Sequence, residues 1–207
     1  MDTLPLNLNG YTDLPPGKIA NVATCLEMHA PPPGHAPRVL PDGYRLDALT
    51  GEDAGRYRDL FVAIGTPWLW FSRLGWSEDQ IAETIASADV EAHALAGPQG
   101  DAGLLELDFR AEGDVELAFL GLTPAHVGKG LGRALMSQAI ARAFACGPRR
   151  LWVHTCTFDH PAALGVYIAS GFMPYKRQIE VVDDPRLTGL APRDSAPHVP
   201  LIPSADP

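Results

Sequence analysis

The chain is short of three things, and each shortage removes a class of protein. It has only three cysteines, Cys25, Cys146 and Cys156, among 207 residues. An odd count at wide spacing makes no disulfide framework, so a secreted disulfide scaffold is excluded and a reducing, cytoplasmic setting is expected. Positive charge is also scarce: 16 Lys and Arg stand against 25 Asp and Glu, for a net charge of −9. A surface of that sign repels phosphate backbones and anionic lipid, so neither nucleic acid nor membrane is an expected partner. Long apolar runs are missing too, none approaching the roughly 18–20 residues of a membrane span. Met1-Asp2-Thr3-Leu4-Pro5 has neither the basic start nor the apolar stretch of a secretory leader. No internal repeat is visible.

What is plentiful is proline, and it sits at the ends. Residues 1–41 hold eight of the 20 prolines and residues 184–207 hold six. Proline blocks helix interiors, so both ends read as extended arms around one domain with a sizeable core. The expected organisation is an N-terminal arm over 1–37, a central domain over 38–183 and a tail over 184–207. Lys18 to Met28 reads as an extra strand that packs on the core or on a partner subunit, and the arms leave a homodimer open.

Within the central region the periodicity alternates. Tyr44 to Leu49 reads as a strand. Thr50 with Asp53 three residues on forms a capping-box-like start to a helix that Gly65 ends. Ser77 caps a second helix with Ile81 and Ile85 on one face. Ala92–Ala96 and Gly103–Phe109 form a hairpin around Gly97-Pro98-Gln99-Gly100-Asp101. Val115–Leu122 is a strand, Leu131–Ala145 a helix ended by Cys146-Gly147-Pro148, Arg150–Cys156 a strand, and a last strand follows Phe172. Strands meander before the later helices cross, which predicts an α+β fold with a mixed sheet.

The most informative stretch runs from Leu117 to Leu135. Gly128, Gly130 and Gly132 leave the backbone bare where a helix begins. Orphan N–H groups and the positive end of the helix dipole point the same way there, which makes an anion site. A P-loop would need Lys followed by Ser or Thr, but Lys129 is followed by Gly130. A dinucleotide loop would need G-x-G-x-x-G, but the spacing is G-x-G-x-G.

The window Val127-Gly128-Lys129-Gly130-Leu131-Gly132 resembles the acyl-CoA loop of GNAT-type N-acetyltransferases, Q/R-x-x-G-x-G/A. Val127 stands where Gln or Arg is usual. Downstream, His160 to Phe172 resembles that family's N-x-x-A-x-x-L-Y-x-x-x-G-F. Ala163, Tyr167, Gly171 and Phe172 match at the right spacing; His160 replaces Asn and Val166 replaces Leu. The two blocks stand in the right order, and the resemblance covers about residues 38–183. The resemblance implies a mostly antiparallel central sheet with a V-shaped splay, flanked by about four helices.

It also implies acetyl-CoA as co-substrate and direct transfer of the acetyl group to an amine; a small-molecule acceptor is expected ahead of a protein, with amino acids, antibiotics, protein N-termini and lysines all open. A protonated amine must lose a proton before it attacks, and the departing thiolate is helped by an acid. Glu116, on the strand before the loop, is the base candidate. Strand alternation puts it on one face with Ala118, Leu120 and Leu122. Tyr167 is the acid candidate. Leu120 and Leu122 would offer backbone bonds to pantetheine, while Val127, Gly128, Lys129, Gly130, Leu131, Gly132 and Arg133 hold the pyrophosphate and His160 touches CoA. Trp68, Trp70, Arg73 and His154 would wall the acceptor site, with Arg73 a clamp for any anionic group and His154 an alternative base. Asp114 reads as a turn residue, and Asp159 as a possible helix cap. A metal on His154, Cys156 and His160 is not expected, nor is Cys156 as a nucleophile. The rival reading is an acyl-CoA-binding sensor or regulator without catalysis.

Overall fold

The computed structural model describes residues 3–203. In chain order the elements are β1 (Lys18–Met28), β2 (Arg45–Ala48), α1 (Ala54–Gly65), α2 (Glu78–Ile85), β3 (Val90–Gly97), β4 (Gly100–Asp108), β5 (Asp114–Leu122), α3 (Leu131–Phe144), β6 (Arg150–Cys156), α4 (Ala163–Ala169) and β7 (Met173–Asp183). They build one seven-stranded sheet in the order β2-β3-β4-β5-β6-β1-β7. Every pairing is antiparallel except β5 with β6. This is an α+β fold.

Local signals explain most boundaries. The Asp53 carboxylate accepts from the Thr50 N–H at 2.8 Å, so the box forms, although a single 3₁₀ turn over Gly51–Asp53 precedes α1. Ser77 caps α2 in a box closed by Gln80. The β3–β4 hairpin turns at Gly97 and Gly100. Along β4, side chains alternate between two cores. Leu104 faces Tyr57, Phe61 and Ile64 of α1 and Ile81 and Ile85 of α2. Leu105 and Leu107 face Leu135 and Ile140 of α3, with Val153, Tyr167 and Phe172. Burying each such side chain contributes about 1.5–3 kcal/mol, which holds helices on both faces of the sheet.

One expectation sharpens and two change. First, β1, the extra strand expected within segment 1–37, packs on the core, inside the sheet between β6 and β7. Arg150 bolts it in place, bonding Glu27 of β1 at 2.9 Å and Asp114 of β5 at 2.8 Å. Asp114 is therefore a strand residue in an ion pair, not a turn residue. Second, the tail folds back. Arg186 is buried and donates to the Asp184 carboxylate at 2.7 Å and to the carbonyls of Ser195 and Val199. Ala191 and Ala196 of the tail join Ile19, Leu69 and Phe158 in a third apolar cluster.

Third, β5 carries a bulge. Leu107 pairs with Leu117 but Glu106 pairs with Phe119, leaving Ala118 as an extra residue. An extra residue reverses the alternation beyond it. Glu116 therefore shares its face with Phe119, on the α1 side, while Leu117, Leu120 and Leu122 turn toward α3. The single face expected for Glu116, Ala118, Leu120 and Leu122 does not exist. A second bulge, at Tyr175 in β7, sits opposite the Cys25/Leu26 step of β1.

Candidate active site

The parallel pairing of β5 with β6 lasts only from Asp114–Glu116 against Arg150–Trp152. Beyond it the two strands diverge. Leu117–Leu122 and Val153–Cys156 become the walls of a cleft of about 780 Å³. Gly121 is required here, because α1 packs Ile64 directly on the strand where a Cβ would stand.

At one end of the cleft lies the start of α3. Gly128 and Gly130 both have φ +81°, a conformation open to glycine and strained for other residues. Gly130 is the N-cap residue of α3, and no side chain caps that end. The first N–H groups of the helix are thus left for a ligand. Val127, Gly128, Gly130, Gly132 and Arg133 line the cleft. Leu131 does not: its side chain is core, packed with α3. Lys129 is exposed at the loop tip and stands off the cleft lining, and neither it nor Arg133 forms an ion pair among the described residues.

At the other end Glu116 is half-buried. Burial, reinforced by the charges of Asp108 and Glu106, pushes its carboxyl up to about 7. Behind it lies a buried polar unit that the sequence did not reveal. Glu106 accepts from the Tyr57 hydroxyl and from Arg73 Nη2. Burial pushes the Glu106 carboxyl up, and Arg73 and Tyr57 act against that. Arg73 is sandwiched by Trp76, 4.3 Å from guanidinium carbon to ring centre, and by Phe119 at 5.1 Å. Its Nη2 is committed to Glu106, which stiffens the wall behind Glu116, while its Nη1 has no hydrogen-bond partner among the described residues and Arg73 lines the cleft.

Trp68 and Trp70 flank the cleft because Leu69 between them is inverted. Leu69 takes φ +57° and is held there by burial against Ile19 and Phe158. Trp70 Nε1 donates to Asp159 at 3.0 Å, and Asp159 also accepts from Thr155 Oγ1 at 2.8 Å and from the Cys156 N–H at 2.7 Å. Asp159 therefore ties the end of β6 to Trp70 and caps no helix. His160 packs its ring edge on Trp68, 4.8 Å between centres, and accepts the Ala162 N–H at 3.0 Å. The tail also reaches Trp68, whose ring centre lies 5.4 Å from that of His198. His198 carried no sequence signal, because its partner Trp68 lies far along the chain, and the tie from Asp159 to Trp70 was hidden for the same reason.

Tyr167 sits on α4, buried and edge-on to Phe172 at 5.8 Å, and lines the cleft between the two ends. Burial and the Asp159 charge push its hydroxyl up, so it stays protonated. His154 is exposed on β6, stacked on Trp152 and within the lining. Burial pushes the Cys156 thiol up to about 11, which leaves little thiolate for attack. Among the described residues no cluster of three or more His, Cys, Asp or Glu could hold a metal, and no helix is long and apolar enough to cross a membrane.

A splayed sheet with an uncapped helix start at the splay is the architecture of an acetyltransferase. The chain belongs to the acetyltransferase (GNAT) family, whose profile matches residues 67–172. No curated protein matches the chain. Solved structures share the fold. A functionally unknown conserved protein from Staphylococcus epidermidis superposes with TM-score 0.62 at 12% identity, covering 81% of this chain and 63% of that one. This chain thus spans less than two thirds of that protein. A GNAT-family protein from Novosphingobium aromaticivorans gives TM-score 0.52 at 20% identity, over 82% of this chain and 68% of that one. The ribosomal-protein-S18-alanine N-acetyltransferase of Escherichia coli gives 0.54 at 17%, over 68% of this chain and 94% of that one.

Proposed function

We propose that the protein is an acetyl-CoA-dependent N-acetyltransferase that moves the acetyl group directly to a small-molecule amine. One observation carries the reading: a single cleft joins an uncapped helix start, a buried protonated tyrosine and a carboxyl poised near pH 7. The diverging β5 presents backbone groups that would bond pantetheine as an added strand. The N–H groups after Gly130 take the pyrophosphate, with Arg133 beside them, so the polar side chain missing at Val127 is replaced by backbone. Glu116 removes the amine proton, the nitrogen attacks the thioester carbonyl, and the Tyr167 hydroxyl returns a proton to the thiolate. The acceptor end, walled by Trp68, Trp70, Phe71, Trp76 and Phe119 beside Glu116 and Asp108, suits a cationic amine with an apolar body.

The test is release of CoA thiol from acetyl-CoA across a panel of amines, with binding measured in parallel. Turnover of an amine that depends on Glu116 and Tyr167 sustains the reading. Tight acetyl-CoA binding with no thiol release from any amine marks a sensor instead.

A further inference from the structure

One long element gives the cleft only Glu180. β7 is last in the strand order, bonded to β1 along one side and, among the described residues, to no strand along the other. Ten of its eleven residues are exposed, among them Met173 at 62%, Tyr175 at 40%, Ile179 at 52% and Val181 at 37%. An open apolar edge of this length is a template for another strand.

The charges on β7 are arranged antisymmetrically. Lys176 and Arg177 precede Gln178, while Glu180 and Asp183 follow it. Lys176 and Arg177 form no ion pair among the described residues. When a strand pairs antiparallel with its own copy, each residue faces the one equally far from the two-fold axis. Outward backbone groups recur at every second residue, so facing residues differ by an even number and the axis passes through a residue. With the axis at Gln178, the whole of Met173–Asp183 overlaps, Lys176 faces Glu180, Arg177 faces Ile179 and Tyr175 faces Val181. The bulge at Tyr175 ends the regular ladder, so the matched centre is Lys176–Glu180. An axis at Ile179 sets Lys176 against Val182, and an axis at Glu180 sets that carboxylate against its own copy. Charge complementarity selects Gln178.

We infer that β7 pairs with β7 of a second copy of this chain about a two-fold axis at Gln178, joining two sheets into one. Light scattering on the intact protein after size exclusion tests this. The expected mass is twice the 22.2 kDa chain. Lys176→Glu and Glu180→Lys each bring like charges face to face in both symmetric pairs and should raise the dissociation constant about tenfold or more. The double exchange should restore the dimer. If Glu180→Lys fails to fold through loss of its bond from Asn21, Lys176→Glu decides: a weakened dimer sustains the interface, and an unweakened dimer overturns it. A wild-type chain that is monomeric at every concentration overturns it as well.

Discussion

At the scale of single residues, the proposed base Glu116 and the proposed acid Tyr167 differ in environment. The Glu116 carboxyl is held near 7 against an ordinary 4.5. Turnover should therefore rise with pH up to about 7 and level off, and a pH–rate profile of Glu116→Gln should lose that inflection. Stability supplies an independent check. The folded state holds this proton more tightly than the unfolded one, so stability is fully present below pH 4.5 and falls as pH climbs to about 7. Glu116→Gln removes the titration, and its melting temperature should exceed the wild type's at pH 8 but not at pH 4. Tyr167→Phe deletes only the hydroxyl; kcat should drop about 10²-fold while calorimetry shows unchanged acetyl-CoA affinity. That both line the cleft was expected from the sequence because each lies in its own contiguous block, Glu116 on the strand before the glycine loop and Tyr167 within Tyr167-x-x-x-Gly171-Phe172. Glu106, Arg73 and Tyr57 were not: they meet across gaps of 33 and 49 residues. Read locally, Arg73 looked free.

Among the elements, α3 depends most on its first turn. Gly130 needs its left-handed backbone, whereas at Gly132 a Cβ would meet Leu122 at an ordinary 3.7 Å. The two alanine substitutions should therefore differ in sign under urea denaturation. Gly130→Ala loses about 1 kcal/mol to strain, and Gly132→Ala gains up to about 1 kcal/mol from helix propensity. The helices and the hairpin were readable from caps and turn residues, and strand β1 from its apolar run. Where β1 inserts was not readable, since its partners in β6 lie more than a hundred residues away. Nor was the bulge at Ala118: Leu117–Leu122 is mostly apolar, so one extra residue leaves no break in the pattern.

For the whole molecule, the tail braces the cleft from outside its lining, through His198 on Trp68 and the Ala196 N–H on the Thr66 carbonyl. Arg186 is 2% exposed and shares its charge with Asp184 while holding the carbonyls of Ser195 and Val199. Arg186→Ala leaves Asp184 buried without its partner and should cost about 3–5 kcal/mol, read from thermal or denaturant melts. The same change should alter tryptophan fluorescence, because His198 leaves Trp68. Proline content marked residues 184–207 as non-helical, and that composition carried no trace of where the segment docks.

The divergence of β5 from β6 also writes a timing pattern into the backbone. From Leu117 to Leu122, the amides on the β4 side are locked in the ladder, while those on the cleft side lack a strand partner. In deuterated buffer, alternate amides of one strand should exchange at very different rates. Only the fast set should slow when acetyl-CoA is added, so the strand itself reports occupancy residue by residue.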